Sequence, residues 1–149
     1  MIEMKHIAML IAERAARQSN CKKRQVAFVA FNDKGILKVG VNQHAPDKPC
    51  QCVDGVHDPD VEHAERVIED EWFPDSQAVV TYAPCYGCAV ELAPSGINTV
   101  FIKHIKHEVG IKHLHKNRIV THNEWLTPMQ RIQAAWLLKW THRQYEEYL

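Results

Sequence analysis

Residues 78–103, AVVTYAPCYGCAVELAPSGINTVFIK, carry the pattern that decides the fold. Ala78 to Tyr82 is a short apolar, β-branched run closed by Pro84, which reads as a buried strand. Cys85 to Ala93 follows as a short helix, and Thr99 to Lys103 returns as a strand. A strand, a helix and a strand in close succession imply parallel pairing, with the helix packed on the sheet.

Upstream, Gln25 to Phe31 reads as a strand, Asn32-Asp33-Lys34-Gly35 as a turn and Ile36 to Val41 as its hairpin partner. Residues 2–18 form an amphipathic helix with Ile7, Leu10, Ile11 and Ala15 on one stripe. Residues 42–60, with Pro46, Pro49, Gly55 and Pro59, read as a long loop, which in a compact domain is functional or tied down. A helix is expected from about Pro59 to Glu71, since Pro59 suits a first turn and Asp60 and Glu62 suit its positive end. Residues 104–122 show no clear period; they hold Lys106, Lys112, Lys116, Arg118 and several histidines, with a short apolar segment at Ile119-Val120. Pro128 to Tyr148 is a final helix whose stripe Met129, Ile132, Trp136 and Trp140 is expected in the core, a subunit interface being the rival use. No repeat or linker divides the chain, so residues 1–149 read as one domain.

Composition bounds the function. The 149 residues are 46% apolar and 24% charged, the balance of a globular protein. Lysine plus arginine equals aspartate plus glutamate at 18 each, which weighs against a surface built to neutralise many phosphates. No apolar run approaches the roughly 20 residues that span a bilayer, and the start lacks the features of a signal peptide. Five cysteines, at 21, 50, 52, 85 and 88, fit a closed disulfide framework poorly and, with ten histidines, suit metal binding in a reducing cytoplasm.

His63-Ala64-Glu65 and Pro84-Cys85-Tyr86-Gly87-Cys88 are each placed at a helix start. A Cys-x-x-Cys turn lets two thiolates reach one ion, and a distant histidine can supply a third ligand. Helix starts lower thiol pKa. Three protein ligands leave one tetrahedral position open, as in catalytic zinc sites, where the metal acidifies water. Glu65 is two residues from His63 and points differently, so it is free to shuttle protons. The order His-x-Glu then Pro-Cys-x-x-Cys is the signature of zinc deaminases.

On these motifs the chain resembles the cytidine and deoxycytidylate deaminase superfamily, and within it the deoxycytidylate (dCMP) deaminase branch, over about Ile7 to Ile102. Ser19 to Val26 looks like the segment leading into that branch's first strand, and Gly40-Val41-Asn42 with Pro46 like its asparagine loop. Val80 to Cys85 and Ser95-Gly96-Ile97 fit the strand before the cysteines and the turn after their helix. It departs at Ala27, at Gln43-His44-Ala45, at Arg66-Val67-Ile68 and at Ala83, positions that bear on substrate choice and spare the zinc and proton-transfer residues.

The resemblance implies an α/β fold of three layers, a central mixed sheet of about five strands with helices on both faces. It implies zinc held by His63, Cys85 and Cys88, and Glu65 as general base and then general acid in converting dCMP to dUMP and ammonia. Asn42 and Ala64 are expected at the substrate. Arg24 and the basic residues from Lys103 to Arg118 are candidates for a phosphate. Cys21, Cys50 and Cys52, with His57 as a fourth ligand, resemble the second, structural zinc set of phage-type members, which would order the 42–60 loop. That pattern points to a viral source and a host cytoplasm. The resemblance further allows a dCTP or dTTP effector and a homo-oligomer. The rival readings are a deaminase of tRNA adenosine or another polynucleotide, which the basic 103–118 segment would serve, and one of free nucleosides. A third is a zinc-binding regulatory protein without catalysis, for which Glu65 has no use.

Overall fold

The computed structural model describes residues 1–21, 24–44 and 62–148. Among the described residues the sheet has five strands, in the order β2 (Gly35–Val41), β1 (Ala27–Asn32), β3 (Ser76–Tyr82), β4 (Ile97–His104) and β5 (Val120–His122). β1 (Ala27–Asn32) and β2 (Gly35–Val41) are the expected hairpin. Asn32 closes it, its Oδ1 accepting from the N–H of Lys34 (2.8 Å) and Gly35 (3.2 Å). β1 pairs antiparallel with β3 (Ser76–Tyr82). β3 pairs parallel with β4 (Ile97–His104) across the helix α2 (Tyr86–Leu92), as the strand–helix–strand pattern requires.

Alternation along the strands builds two cores. Ala27, Val29, Phe31, Val79 and Phe101 face the helices α1 (Met4–Ala16) and α4 (Pro128–Thr141). Phe28, Ala30, Ala78, Val80, Val100 and Ile102 face the other layer. That layer comprises α2, α3 (Val109–Lys116) and a 3-10 turn, Ala64–Ile68. The fold is therefore the three-layer α/β arrangement the sequence implied. The 104–122 segment resolves into α3 and a short edge strand, β5 (Val120–His122), parallel to β4.

Three expectations need correction. α1 buries its stripe of Ile7, Leu10, Ile11 and Ala15, but Ala8, Met9, Ala12 and Ala16 are buried as well. The sheet lies on one side of it and α4 with the 3-10 turn Arg143–Tyr148 on another, so the helix is enclosed. α4 ends at Thr141, and its stripe of Met129, Ile132, Trp136 and Trp140 is outside, each side chain between 52% and 66% exposed. The face that packs carries Ala134 and Leu138, because small Ala134 lets the helix sit close to the core. Nor does a helix run through to Glu71. Gln43 and Glu62 form an isolated β-bridge, exchanging backbone hydrogen bonds of 2.9 and 2.7 Å. The bridge leads into an extended His63, and among the described residues of this stretch only the turn Ala64–Ile68 coils; Pro59 and Asp60, where the helix was expected to start, lie outside the described residues. Beyond it Asp70 takes a left-handed φ of 62°, and the N–H of Phe73 donates to the Ser95 carbonyl at 2.6 Å.

Glu13 of α1 ties the first layer together. It accepts from Lys103 Nζ (2.9 Å), Trp125 Nε1 (2.9 Å) and Arg131 Nε and Nη2 (3.0 and 2.8 Å). Burial opposes its ionisation, yet those bonds from Arg131, Lys103 and Trp125 hold its pKa at about 2. Among the described residues no helix is long and apolar enough to cross a membrane.

Candidate metal centre and active site

β3 ends at Tyr82, and Pro84 keeps the chain extended into Cys85, the N-cap of α2 (φ −70°, ψ 170°). Cys88, one turn into that helix, is buried. From the other direction the Gln43–Glu62 bridge delivers His63, the extended residue before the 3-10 turn. His63 Nδ1 lies 3.6 Å from Cys85 Sγ and 3.3 Å from Cys88 Sγ. Zinc–nitrogen and zinc–sulfur bonds of ordinary length at tetrahedral angles put such ligand atoms about 3.6 Å apart. The three donors thus fit one zinc ion with a fourth position open, and they are the only such cluster among the described residues.

The electrostatics suit a cation. Hydrogen bonds from the Cys88 thiol and from His63 hold Cys85 at a pKa of about 3, so it is a thiolate. Beside it Cys88 is pushed up, first by its bond to Cys85 and then by burial. The hydrogen bond to Cys85 raises His63. A divalent ion bound among these residues would let both sulfurs carry negative charge. Glu65 is 4% exposed, and burial pushes its carboxyl above the ordinary range.

A cavity of about 150 Å³ opens over these residues, on the order of the space that one benzene ring occupies in an engineered protein cavity. Its lining includes His63, Ala64, Glu65 and Cys85 together with Val26, Asn42 and Ala83. Arg24, Tyr82 and His107 are also in the lining. The Arg24 guanidinium lies 4.7 Å from the Tyr82 ring centroid, and Tyr82 packs in turn at a tilt of 38° against His104, 4.9 Å away. Asn42 is buried and largely committed. Its Oδ1 accepts from Ser19 Oγ (2.6 Å) and the Val26 N–H (2.9 Å), and its Nδ2 donates to the Arg24 carbonyl (2.8 Å). One amide hydrogen remains for a ligand.

His63, Glu65, Cys85, Cys88, Asn42, Ala64 and Arg24 are therefore brought to one place. Lys103 is drawn instead to Glu13, on the far face of the sheet. Cys21 is buried, with its N–H on Ser19 Oγ at 3.2 Å. Cys50, Cys52 and His57, the other members of the suggested second zinc set, lie outside the described residues. Tyr82 and His107 are lining residues that no motif singled out. Tyr82 had a usable signal, since it closes the strand two residues before Pro84 and the cysteines. His107 had none, because the loop carrying it has no period.

Comparison with known proteins agrees with this geometry. The model of the cytidine and deoxycytidylate deaminase zinc-binding region matches residues 2–104. Among solved structures the chain is similar to the dCMP deaminase of the cyanophage S-TIM5 in complex with dCMP and dUMP. Identity is 26% over 82% of this chain and 96% of that one, with a TM-score of 0.70. The apo form of the same enzyme matches at 25% identity over 79% and 94%, with a TM-score of 0.64. A diaminohydroxyphosphoribosylaminopyrimidine deaminase/5-amino-6-(5-phosphoribosylamino)uracil reductase from Thermotoga maritima shares the fold at 20% identity. It covers 94% of this chain and 41% of that one, with a TM-score of 0.55. Among curated protein sequences nothing matches. A family match over most of the chain and a three-ligand site with the geometry of zinc lead to one conclusion: the chain belongs to the cytidine and deoxycytidylate deaminase zinc-binding family.

Proposed function

We propose that the protein hydrolyses the 4-amino group of dCMP, giving dUMP and ammonia. The observation that carries this reading is a buried carboxylate, Glu65, lining a one-ring cavity beside the His63, Cys85 and Cys88 donors. A zinc ion held by those three side chains would supply one thing, a water whose pKa is lowered to roughly 7. Every proton then moves through Glu65. It accepts one from the attacking water and delivers it to N3 of the cytosine ring as the C4–O bond forms. It then carries the second water proton to the 4-amino group, so that the C4–N bond breaks and ammonia leaves. A carboxyl whose pKa burial has raised is suited to holding a proton between those steps.

The remaining residues orient the substrate. Asn42 ties Ser19, Arg24 and Val26 together and so aims Arg24, leaving one amide hydrogen for the ring or sugar. The Tyr82 ring supports the Arg24 guanidinium, which offers a cation to a 5′-phosphate. The similarity to a phage enzyme solved with dCMP and dUMP supports the nucleotide over the free nucleoside. By the same family resemblance, buried Cys21 belongs with Cys50, Cys52 and His57 to a second, structural zinc.

The test is ammonia release from purified protein given dCMP, deoxycytidine, dCTP and tRNA in parallel, with chelator-treated protein as control. Turnover of dCMP well above deoxycytidine, lost on chelation and restored by zinc, is expected. Turnover of tRNA without dCMP would overturn the reading in favour of a polynucleotide substrate.

A further inference from the structure

The two halves of the metal centre come from distant parts of the chain, so the gap between His63 and the cysteines depends on what lies beneath each turn. Two glycines lie there, neither of them in the ligand motifs. Gly40 is buried in β2 under the 3-10 turn. A Cβ at that position would overlap the Ala64 carbonyl oxygen and stand 2.8 Å from Val67 Cγ1. Gly110 is buried near the start of α3, under the approach to the cysteines. A Cβ there would overlap the Pro84 carbonyl oxygen and stand 2.9 Å from its carbon and 3.0 Å from the Cys85 carbonyl oxygen.

What these sites demand is close approach, and the atoms approached are mostly main chain, which cannot swing aside as a flexible side-chain tip would. Gly87 makes the contrast. It sits between the two cysteines themselves, yet a Cβ there would meet nothing within 4 Å. At the site the space restriction therefore falls on the supports and spares the motif; Gly96, the other described glycine so confined, meets the Phe73 carbonyl elsewhere in the fold.

We propose that Gly40 and Gly110 are positioning residues of the metal centre, each seating one ligand-bearing turn so that His63 meets Cys85 and Cys88 at the spacing zinc needs. Gly40 sets the height of the Ala64 carbonyl over the sheet, and with it the flanking His63 and Glu65. Gly110 lets α3 close directly on the Pro84–Cys85 main chain and fixes where the Cys85 sulfur stands. A methyl at either position lifts one half of the site away from the other, against nitrogen–sulfur distances of only 3.3 and 3.6 Å. The inference rests on the zinc centre and not on which nucleotide is deaminated.

The experiment compares Gly40→Ala and Gly110→Ala with Ile111→Ala. Ile111 is the neighbour of Gly110 on α3 and belongs to the core. Zinc affinity is read by competition with a chromophoric chelator, and ligand geometry by the absorption bands of the cobalt-substituted protein. Both glycine variants are expected to fold without metal, to lose about 10- to 100-fold in zinc affinity, and to show displaced cobalt bands. Ile111→Ala is expected to melt at lower temperature while keeping zinc affinity within about twofold. Glycine variants with parental zinc affinity and cobalt bands would overturn the proposal. So would variants that do not fold even without metal, since the glycines would then serve the fold and not the site. No turnover enters these readouts, so failure here is distinct from failure on dCMP.

Discussion

Glu13 and Glu65 are both shielded carboxylates in helical or turn segments, one on each side of the same sheet, and their surroundings push them in opposite directions. Glu13, 12% exposed, has a lysine, a tryptophan and an arginine donating to it, and is held ionised down to about pH 2. Glu65 has thiols and a histidine for neighbours, and burial raises its pKa. A buried acid with its charge fully answered is fixed and contributes stability. One whose charge is answered only when a substrate and a metal are present can take up and release protons. The layer of α1 and α4 thus carries a carboxylate fixed in place, and the layer of α2, α3 and the 3-10 turn carries the metal donors and the proposed proton carrier.

The sharpest way to break that division is Glu65→Gln. It should retain zinc near the parental stoichiometry and lose turnover by about 1000-fold or more, in line with removal of a general acid–base group. Near-normal turnover in the purified variant would return Glu65 to the same structural class as Glu13. The converse substitution, Glu13→Gln, should leave kcat/KM for dCMP within a few-fold where the protein is folded. It should cost about 2 kcal/mol in urea unfolding, the worth of hydrogen bonds to a charged group. A large fall in kcat with unchanged stability would place Glu13 in the active layer and erase the contrast.

The smallest effect is on acid stability. Glu13's native pKa, about 2, lies below its ordinary value of 4.5. Its contribution is therefore complete above pH 4.5 and is lost as pH falls toward 2. The melting temperature of the parent protein should drop more steeply between pH 5 and 2.5 than that of Glu13→Gln. Parallel curves would show that the carboxylate is not answered by its three partners.

The site was more legible in the sequence than its supports. Cys85 and Cys88 are neighbours on one helical turn whatever the rest of the chain does, and Pro84 marks where that turn begins. His63 and Glu65 could be named from their order and spacing, although the helix expected around them proved to be one 3-10 turn. The bridge from Gln43 to Glu62 leads into that turn, and no local pattern announces a pairing between residues 19 positions apart. Asn42 was expected at the substrate; that it also anchors Ser19, Arg24 and Val26 needed the fold.

Periodicity and spacing in the chain itself determined the hairpin and the parallel strand–helix–strand unit, because each depends on contacts between near neighbours, and the order of two short motifs named the metal donors that only folding brings together. Tertiary structure decided the rest. Both Ala134 with Leu138 and Trp136 with Trp140 lie at helical spacing, and a period defines stripes without saying which one turns inward. Close approach to the α1 layer selected the smaller pair and left the tryptophans outside. The same holds for Glu13 and Glu65, chemically identical residues whose opposite pKa shifts come from groups that only folding brings to them.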